Sequence, residues 1–529
     1  MASDDTTLHW LKTVLPDITW QPYRHHTGNE YYIEVTPERW IAAAEALTIN
    51  GPAVLTAMFA NDERSLAGHF AIYAIFSVLG RDLFIGLRLA VSESIAQYPS
   101  LTPHIPAAHW YEREIKDMFG LFPVGHPDPR RLVLHHDWPK GLHPMRKSFT
   151  AELPVERTPG ITPFSQVEGE GVFEVPVGPI HAGITEPGHF RFSVLGENVL
   201  HLEAKLFYTH RGIEKMCEDM QAQDVLFVAE RICGACSLSH ATAYAQAIER
   251  IASTSIPQRA KVIRSIALEL ERLYNHIGDI GNICVGVGFA FGNMQFSQLK
   301  EELMEVNERF AGNRFLHGVI ALGGVKKDIS VSTVADIRSV LSIVEREFSQ
   351  ITELLLDQSE FINRAESTGI LANAVARDLG VVGPVARASG IDHDWRRDHA
   401  YAAYQELIMS VPLYQCGDVL ARLRLRIDET IVSFSLIKQL LELLKPGLLS
   451  VEIGSLPAYH FALGYVESPR GADIHWVMTG ENNRLYRYMI RSASYPNWAS
   501  IAFAAPGNIV PDFPLINKSY ELCYSCLDR

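Results

Sequence analysis

The sequence predicts a multidomain chain: an N-terminal α/β module, then a mostly α-helical bundle domain with a small β-rich entry region. Three observations carry this. A length of 529 residues exceeds the usual size of one domain. Residues 152–166 hold Pro154, Pro159, Gly160 and Pro163 without apolar periodicity, the composition of a linker. Beyond them, Ile337, Val340, Leu341, Val344, Phe348, Ile351 and Leu355 keep helical spacing, as do Leu420, Leu423, Ile427 and Ile431. The domains are therefore expected at 1–150 and 167–529, joined by a linker at 151–166.

Within the first domain, Tyr31-Tyr-Ile-Glu-Val35 and Leu83-Phe-Ile-Gly-Leu87 read as strands, and 37–47 as a helix opened by Thr36. A charged run follows: Trp110-Tyr-Glu-Arg-Glu-Ile-Lys-Asp-Met-Phe-Gly120, Gly125-His-Pro-Asp-Pro-Arg-Arg131 and Gly141-Leu-His-Pro-Met-Arg-Lys147. Charges this dense cannot enter a core without partners, which predicts a salt-bridged docking surface. After the linker, Val172-Phe-Glu-Val-Pro-Val-Gly178, His181, Glu186, His189 and Phe190-Arg-Phe192 form the β-rich entry. The helical stripes beyond are core, and metal ligands brought together by a bundle are the simplest architecture.

Composition excludes several functions. The chain is 47% hydrophobic and 20% charged, enough for a large core. A net charge of −14 without a basic stripe argues against a nucleic-acid partner. Met1-Ala-Ser-Asp-Asp-Thr6 lacks the basic and apolar regions of a secretion signal, and the longest apolar run, 70–79, is too short to cross a bilayer. The expectation is a cytoplasmic protein, held at a membrane only through partners.

Seven cysteines do not make a disulfide scaffold at this length. Four fall in two pairs, Arg231-Ile-Cys-Gly-Ala-Cys236 and Cys523-Tyr-Ser-Cys526, with 286 residues between them. Each pair can turn two sulfurs to one metal, because i and i+3 share a face of a helical turn. Four thiolates make a soft cage. Structural zinc sites space their pairs by roughly 15–20 residues, since a small domain needs the staple; a large bundle does not. Cys217, Cys284 and Cys416 read as small buried apolar groups, too few to hold a four-cysteine iron–sulfur cluster. Electrons from the cage would leave through another subunit. His240, one helical turn after Cys236, is placed to tune a ligating sulfur, the competing reading being a buried core histidine.

Two resemblances sharpen this. Glu112-Arg-Glu114, Asp117-Met-Phe-Gly120, His126 and Arg130-Arg131 resemble the smaller of two adjacent peripheral-arm subunits of respiratory complex I, a structural module that packs against its larger neighbour. Arg211-Gly-Ile-Glu214, Gly383-Pro384, Arg387-Ala-Ser-Gly390, Gly417-Asp418 and Glu467-Ser-Pro-Arg-Gly471 resemble that neighbour and its relative, the large subunit of nickel–iron hydrogenases. The complex I subunits lack the four cysteines that this chain carries. The fusion of both modules is similar to the catalytic subunits of formate hydrogenlyase and other energy-converting hydrogenases.

The resemblance implies a nickel–iron centre whose iron carries carbon monoxide and cyanide. Cys233 and Cys523 would be terminal nickel ligands, and Cys236 and Cys526 would bridge the metals. Cys523 would accept a proton and Glu186 relay it, although Pro187 departs from the uptake-type motif. Arg470 would hang over the open site and bind a cyanide; Ser494 would bind the other, with Ser492 competing. Glu214 would help hold a second metal, magnesium or iron, where uptake-type enzymes add a terminal histidine and this chain has Arg529, which cannot ligate. His181 falls where complex I has residues near its quinone head-group. Implied partners are an iron–sulfur subunit like the complex I subunit beside the quinone site, ferredoxin-like subunits, membrane subunits, formate dehydrogenase, nickel-insertion proteins and a maturation protease, since the family loses a C-terminal extension after nickel insertion. The rival reading is a non-catalytic or quinone-reactive subunit of a complex I-like assembly.

Overall fold

The computed structural model describes residues 10–15, 28–150, 152–160, 163–181 and 185–529. The first residues, read above for a secretion signal, and linker positions 151, 161 and 162 lie outside the described residues. The chain forms two compact units, Met1–Phe164 with Asp378–Gly380, and Ser165–Arg377 with Val381–Arg529. Among the described residues, no helix is long and apolar enough to cross a membrane.

The first unit is α/β. Strands β1 (Glu30–Val35), β2 (Ala53–Glu63), β3 (His69–Val78) and β4 (Phe84–Val91) form one sheet in the order β1-β4-β3-β2. Neighbours pair antiparallel except β1, which lies parallel to β4. Helix Pro37–Thr48 buries Trp40, Ala43, Ala44 and Leu47, a stripe at i, i+3, i+4 and i+7.

Part of the charged run turns inward, and part of it is salt-bridged, Asp128 pairing with Arg113 and Arg130. The Glu112 carboxylate is fully buried and accepts from the Ser100 and Thr102 hydroxyls and the Leu101 amide. Asp117 accepts the amides of Leu132, Val133 and Leu134, and Arg113 donates to the carbonyls of Arg130 and Arg131. The partners that sequence reasoning sought outside the chain are backbone groups of the chain's own loop.

The second unit opens with an antiparallel three-stranded sheet, Val172–Val177, His189–Leu195 and Asn198–Lys205. Helix Gln258–Val287 runs through its middle, packed against Ala290–Ala311, Val419–Leu443 and Phe513–Tyr520. The stripe in Val331–Leu356 is buried as expected except at Val340, which is half-buried; Ile431 is 50% exposed and Cys416 is exposed, so neither is core. Cys217 and Cys284 are buried, and burial pushes both thiols up to about 12.

A second antiparallel sheet, Phe461–Ser468, Gly471–Thr479 and Leu485–Arg491, was not anticipated. Every residue of its first two strands is buried, so the period-2 alternation that marks a half-exposed strand is missing. Helix Ser237–Ile251 lies on this sheet at Gly464, where a Cβ would come within 1.7 Å of the Ala243 carbonyl oxygen. That close approach fixes where the helix, and Cys236 at its N-terminus, sits above the strands.

Candidate metal centre

The two cysteine pairs meet. Cys236 is the residue before the first turn of helix Ser237–Ile251, and its carbonyl accepts the His240 amide. Cys523 holds the same place before Tyr524–Asp528, its sulfur accepting the Cys526 amide at 3.3 Å. The sulfurs of Cys233 and Cys523 are 3.3 Å apart across 290 residues of chain. Those of Cys233, Cys523 and Cys526 all lie within 4.8 Å of one another, and Cys236 packs in the same buried cluster. None is in a disulfide.

Arg211 clips the two turns together. Its guanidinium donates to the carbonyls of Arg231 at 3.0 Å and Ile232 at 2.7 Å on one side, and Ser525 at 3.0 Å on the other. Its own amide and that of Gly212 reach the Arg529 carbonyl. Asp528 adds a second tie by accepting the amides of Phe207 and Thr209.

The four sulfurs perturb one another strongly. Hydrogen bonds from Cys236, Cys523 and Cys526 hold the Cys233 thiol well below its usual value. The same bonds push Cys236 and Cys523 upward, and burial raises Cys526. A bound cation would let all four sulfurs ionise together, and soft sulfur donors suit nickel. The donor set therefore fits a nickel–iron centre.

Arg470 stands over the sulfurs at the turn between the first two strands of the second sheet. It donates to Cys236 Sγ at 3.8 Å and Asn275 Oδ1 at 3.1 Å, reaches Asp279 at 3.7 Å, and bonds the Glu521 carbonyl through Nε. Gly471 lets this turn form: its φ is +126°, and a Cβ there would strike the Gly383 backbone at 2.7–2.8 Å.

The other residues singled out from the sequence fall as follows. His240 Nε2 is 3.5 Å from Cys526 Sγ, and the ring is fully buried. Glu186 accepts from the Ser525 hydroxyl, inside the terminal dithiol turn. Ser494 accepts the Cys523 amide at 3.1 Å, and Ser492 donates to the Cys526 carbonyl at 3.0 Å, so both serines brace backbone. His181 is exposed, its ring 6.3 Å from that of Tyr524.

Glu214 does not offer a second metal site. Its carboxylate is filled by Arg487 at 2.8 Å, Arg529 at 2.9 Å and the Ile490 amide at 2.9 Å. Burial raises Glu214, but Arg487 and then Arg529 outweigh it and hold the carboxyl below its usual value. Two guanidinium groups supply the positive charge that a magnesium or iron ion would bring, which corrects the expected second metal.

Sequence reasoning missed Asn275, Asp279, Glu271, His475 and Tyr488. Glu271 is fully buried and accepts the Leu238 and Ser239 amides at 2.7 and 3.0 Å, anchoring the helix that starts at Cys236. Its burial pushes its carboxyl up to about 8. The one legible signal was His475, a lone histidine in an apolar strand.

Comparison with known proteins places the whole chain. Family models match for the respiratory-chain NADH dehydrogenase 30 Kd subunit (residues 33–155), the 49 Kd subunit (residues 287–458 and 453–529) and nickel-dependent hydrogenase (residues 211–278). The chain is 41% identical to formate hydrogenlyase subunit 5 of Escherichia coli, over 90% of this chain and 84% of that protein. It is 39% identical to hydrogenase-4 component G of the same organism over the same shares. It is 30% identical to the membrane-bound hydrogenase subunit alpha of Pyrococcus furiosus, over 67% of this chain and 87% of that one. A solved chain of the membrane-bound sulfane sulfur reductase, an archaeal respiratory membrane complex, superposes with a TM-score of 0.64 at 26% identity, covering 68% of this chain and 99% of that one. With four free cysteines gathered under an arginine, and relatives that share this length of sequence, the chain belongs to the family of nickel–iron hydrogenase catalytic subunits that includes formate hydrogenlyase subunit 5 and hydrogenase-4 component G.

Proposed function

We propose that this chain is the catalytic subunit of a membrane-associated hydrogenase complex and interconverts protons and dihydrogen. The observation that carries the reading is the meeting of four free, mostly buried cysteine sulfurs from distant parts of the chain beneath Arg470. Cys233 and Cys523 would hold nickel, and Cys236 and Cys526 would bridge it to an iron bearing carbon monoxide and cyanide. Such a centre supplies an open position where dihydrogen binds and splits heterolytically. The protein does the rest. Cys523 Sγ takes the released proton and passes it to Glu186, which Ser525 positions beside the turn. Arg470, fixed by Asn275 and Asp279, presents a permanent positive charge to the open face and to a cyanide. Ser494 and Ser492 set the direction of the terminal turn by bracing its backbone, and Ser494 would bind the second cyanide.

Electrons pass to an iron–sulfur partner subunit and from it to ferredoxin-like subunits. Membrane subunits anchor the complex to the inner face of the cytoplasmic membrane, and formate dehydrogenase is the proposed source of electrons. The first unit acts as a structural module. Nickel-insertion proteins and a maturation protease would load the centre. The rival, a complex I-like subunit without hydrogen chemistry, draws on relatives such as NADH-quinone oxidoreductase subunit 4 of Thermus thermophilus, 29% identical over 73% of this chain. The retained thiol set argues against it.

The test is metal analysis and infrared spectroscopy of the purified complex. Nickel together with metal carbonyl and cyanide bands is the expected result; zinc alone, without those bands, would refute the reading. Cys523→Ala should abolish hydrogen turnover, and retained turnover would overturn its role as the base.

A further inference from the structure

We propose that Tyr488, acting through His475 and His240, aims an N–H bond at the Cys526 sulfur and so draws electron density from that thiolate. The inference rests on Cys526 being a metal ligand. The chain of contacts is continuous. Tyr488 Oη is 2.7 Å from His475 Nδ1, His475 Nε2 is 2.9 Å from His240 Nδ1, and His240 Nε2 is 3.5 Å from Cys526 Sγ. All four side chains are at most 2% exposed.

The direction of the bonds follows from satisfaction of hydrogens. Among the described residues, His475 is the hydrogen-bond partner of the Tyr488 hydroxyl. If His475 Nδ1 carried the proton and donated, the phenol hydrogen would be buried with no acceptor. The hydroxyl therefore donates. That leaves the His475 proton on Nε2, where it is donated to His240 Nδ1. His240 must then carry its own proton on Nε2, directed at sulfur. Both ends of the relay agree: burial keeps the phenol protonated and His475 neutral, and a metal-bound thiolate can only accept.

The second sheet builds the relay. His475 pairs with Ile490 across the strands, so Tyr488 is its diagonal neighbour on the same face. Tyr244 packs edge-on against the Tyr488 ring at 5.4 Å and restrains it. The tyrosine touches no metal ligand and acts only by setting two tautomers, which makes it a positioning residue.

The experiment uses the assembled complex and reads the carbon monoxide stretch of the iron. Tyr488→Phe removes the donor and should shift the stretch to lower wavenumber as density returns to the thiolate. Replacing Tyr488 by 3-fluorotyrosine, a near-isosteric but stronger donor, should shift it to higher wavenumber. Opposite shifts support the relay, because a purely structural role gives no such pair of signs. An unmoved band in the fluorotyrosine protein, or shifts of the same sign in both, would overturn it while leaving the hydrogenase reading intact. Absence of any carbonyl band in the parent enzyme would instead overturn the metal assignment and this relay with it.

Discussion

At the scale of single residues, two arginines do work that their conservative replacements cannot. The Arg470 fork engages Cys236, Asn275, Asp279 and the Glu521 carbonyl at once. Lysine keeps the charge but is a point donor on a flexible stem. Arg470→Lys is expected to lower kcat about 10²-fold or more, the size of effect seen when one oriented donor is lost, with nickel content unchanged. Arg529 balances a buried carboxylate. Arg529→Ala should cost about 3–5 kcal/mol by leaving Glu214 under-compensated, measured by chemical unfolding. By the same logic EDTA should leave the Tm of the intact protein unchanged, since no divalent ion is needed at Glu214. The arginine and the four cysteines were legible in the sequence because each stands in a short motif whose neighbours are also constrained. Asn275, Asp279 and Tyr488 were not. Their partners lie 195, 191 and 13 residues away, in contacts that only the folded chain makes.

At the scale of elements, the site depends on how closely a helix approaches a sheet. Gly464 admits the Ala243 carbonyl against the strand, and a methyl group there would overlap it. Gly464→Ala is expected to displace helix Ser237–Ile251 and to destabilise the protein by about 1–3 kcal/mol, as overpacking does. Nickel occupancy should fall with stability, read by metal analysis beside thermal unfolding. Sequence periodicity found the helices that carry one apolar face, such as Val331–Leu356. It failed on Phe461–Ser468 and Gly471–Thr479, where burial on both sides erases the pattern. Nor did it show that part of the run 110–147 is tied to backbone groups of its own loop. Here Asp117 alone takes three amides.

At the scale of the whole molecule, buried histidines should make stability sensitive to acid. In the first unit, His109 is held down to about 3 from an ordinary 6.5 by burial, then by Arg113 and His126. Below pH 6.5 the unfolded chain takes up a proton that the folded unit refuses, so stability is fully present above that pH and declines toward about 3. The slope is about 1.4 kcal/mol per pH unit for one such group. His109→Gln should flatten the decline, followed by denaturant unfolding across this range. The separation of the two dithiol turns has a consequence in time. Cys523 emerges from the ribosome 290 residues after Cys233, a delay of roughly 15–60 s at ordinary elongation rates of about 5–20 residues per second. Throughout that interval the earlier thiols wait without their counterparts, open to oxidation and to capture by zinc. A cell making this protein must shield the half-built nest or postpone delivery of its cargo until the second dithiol turn has been made.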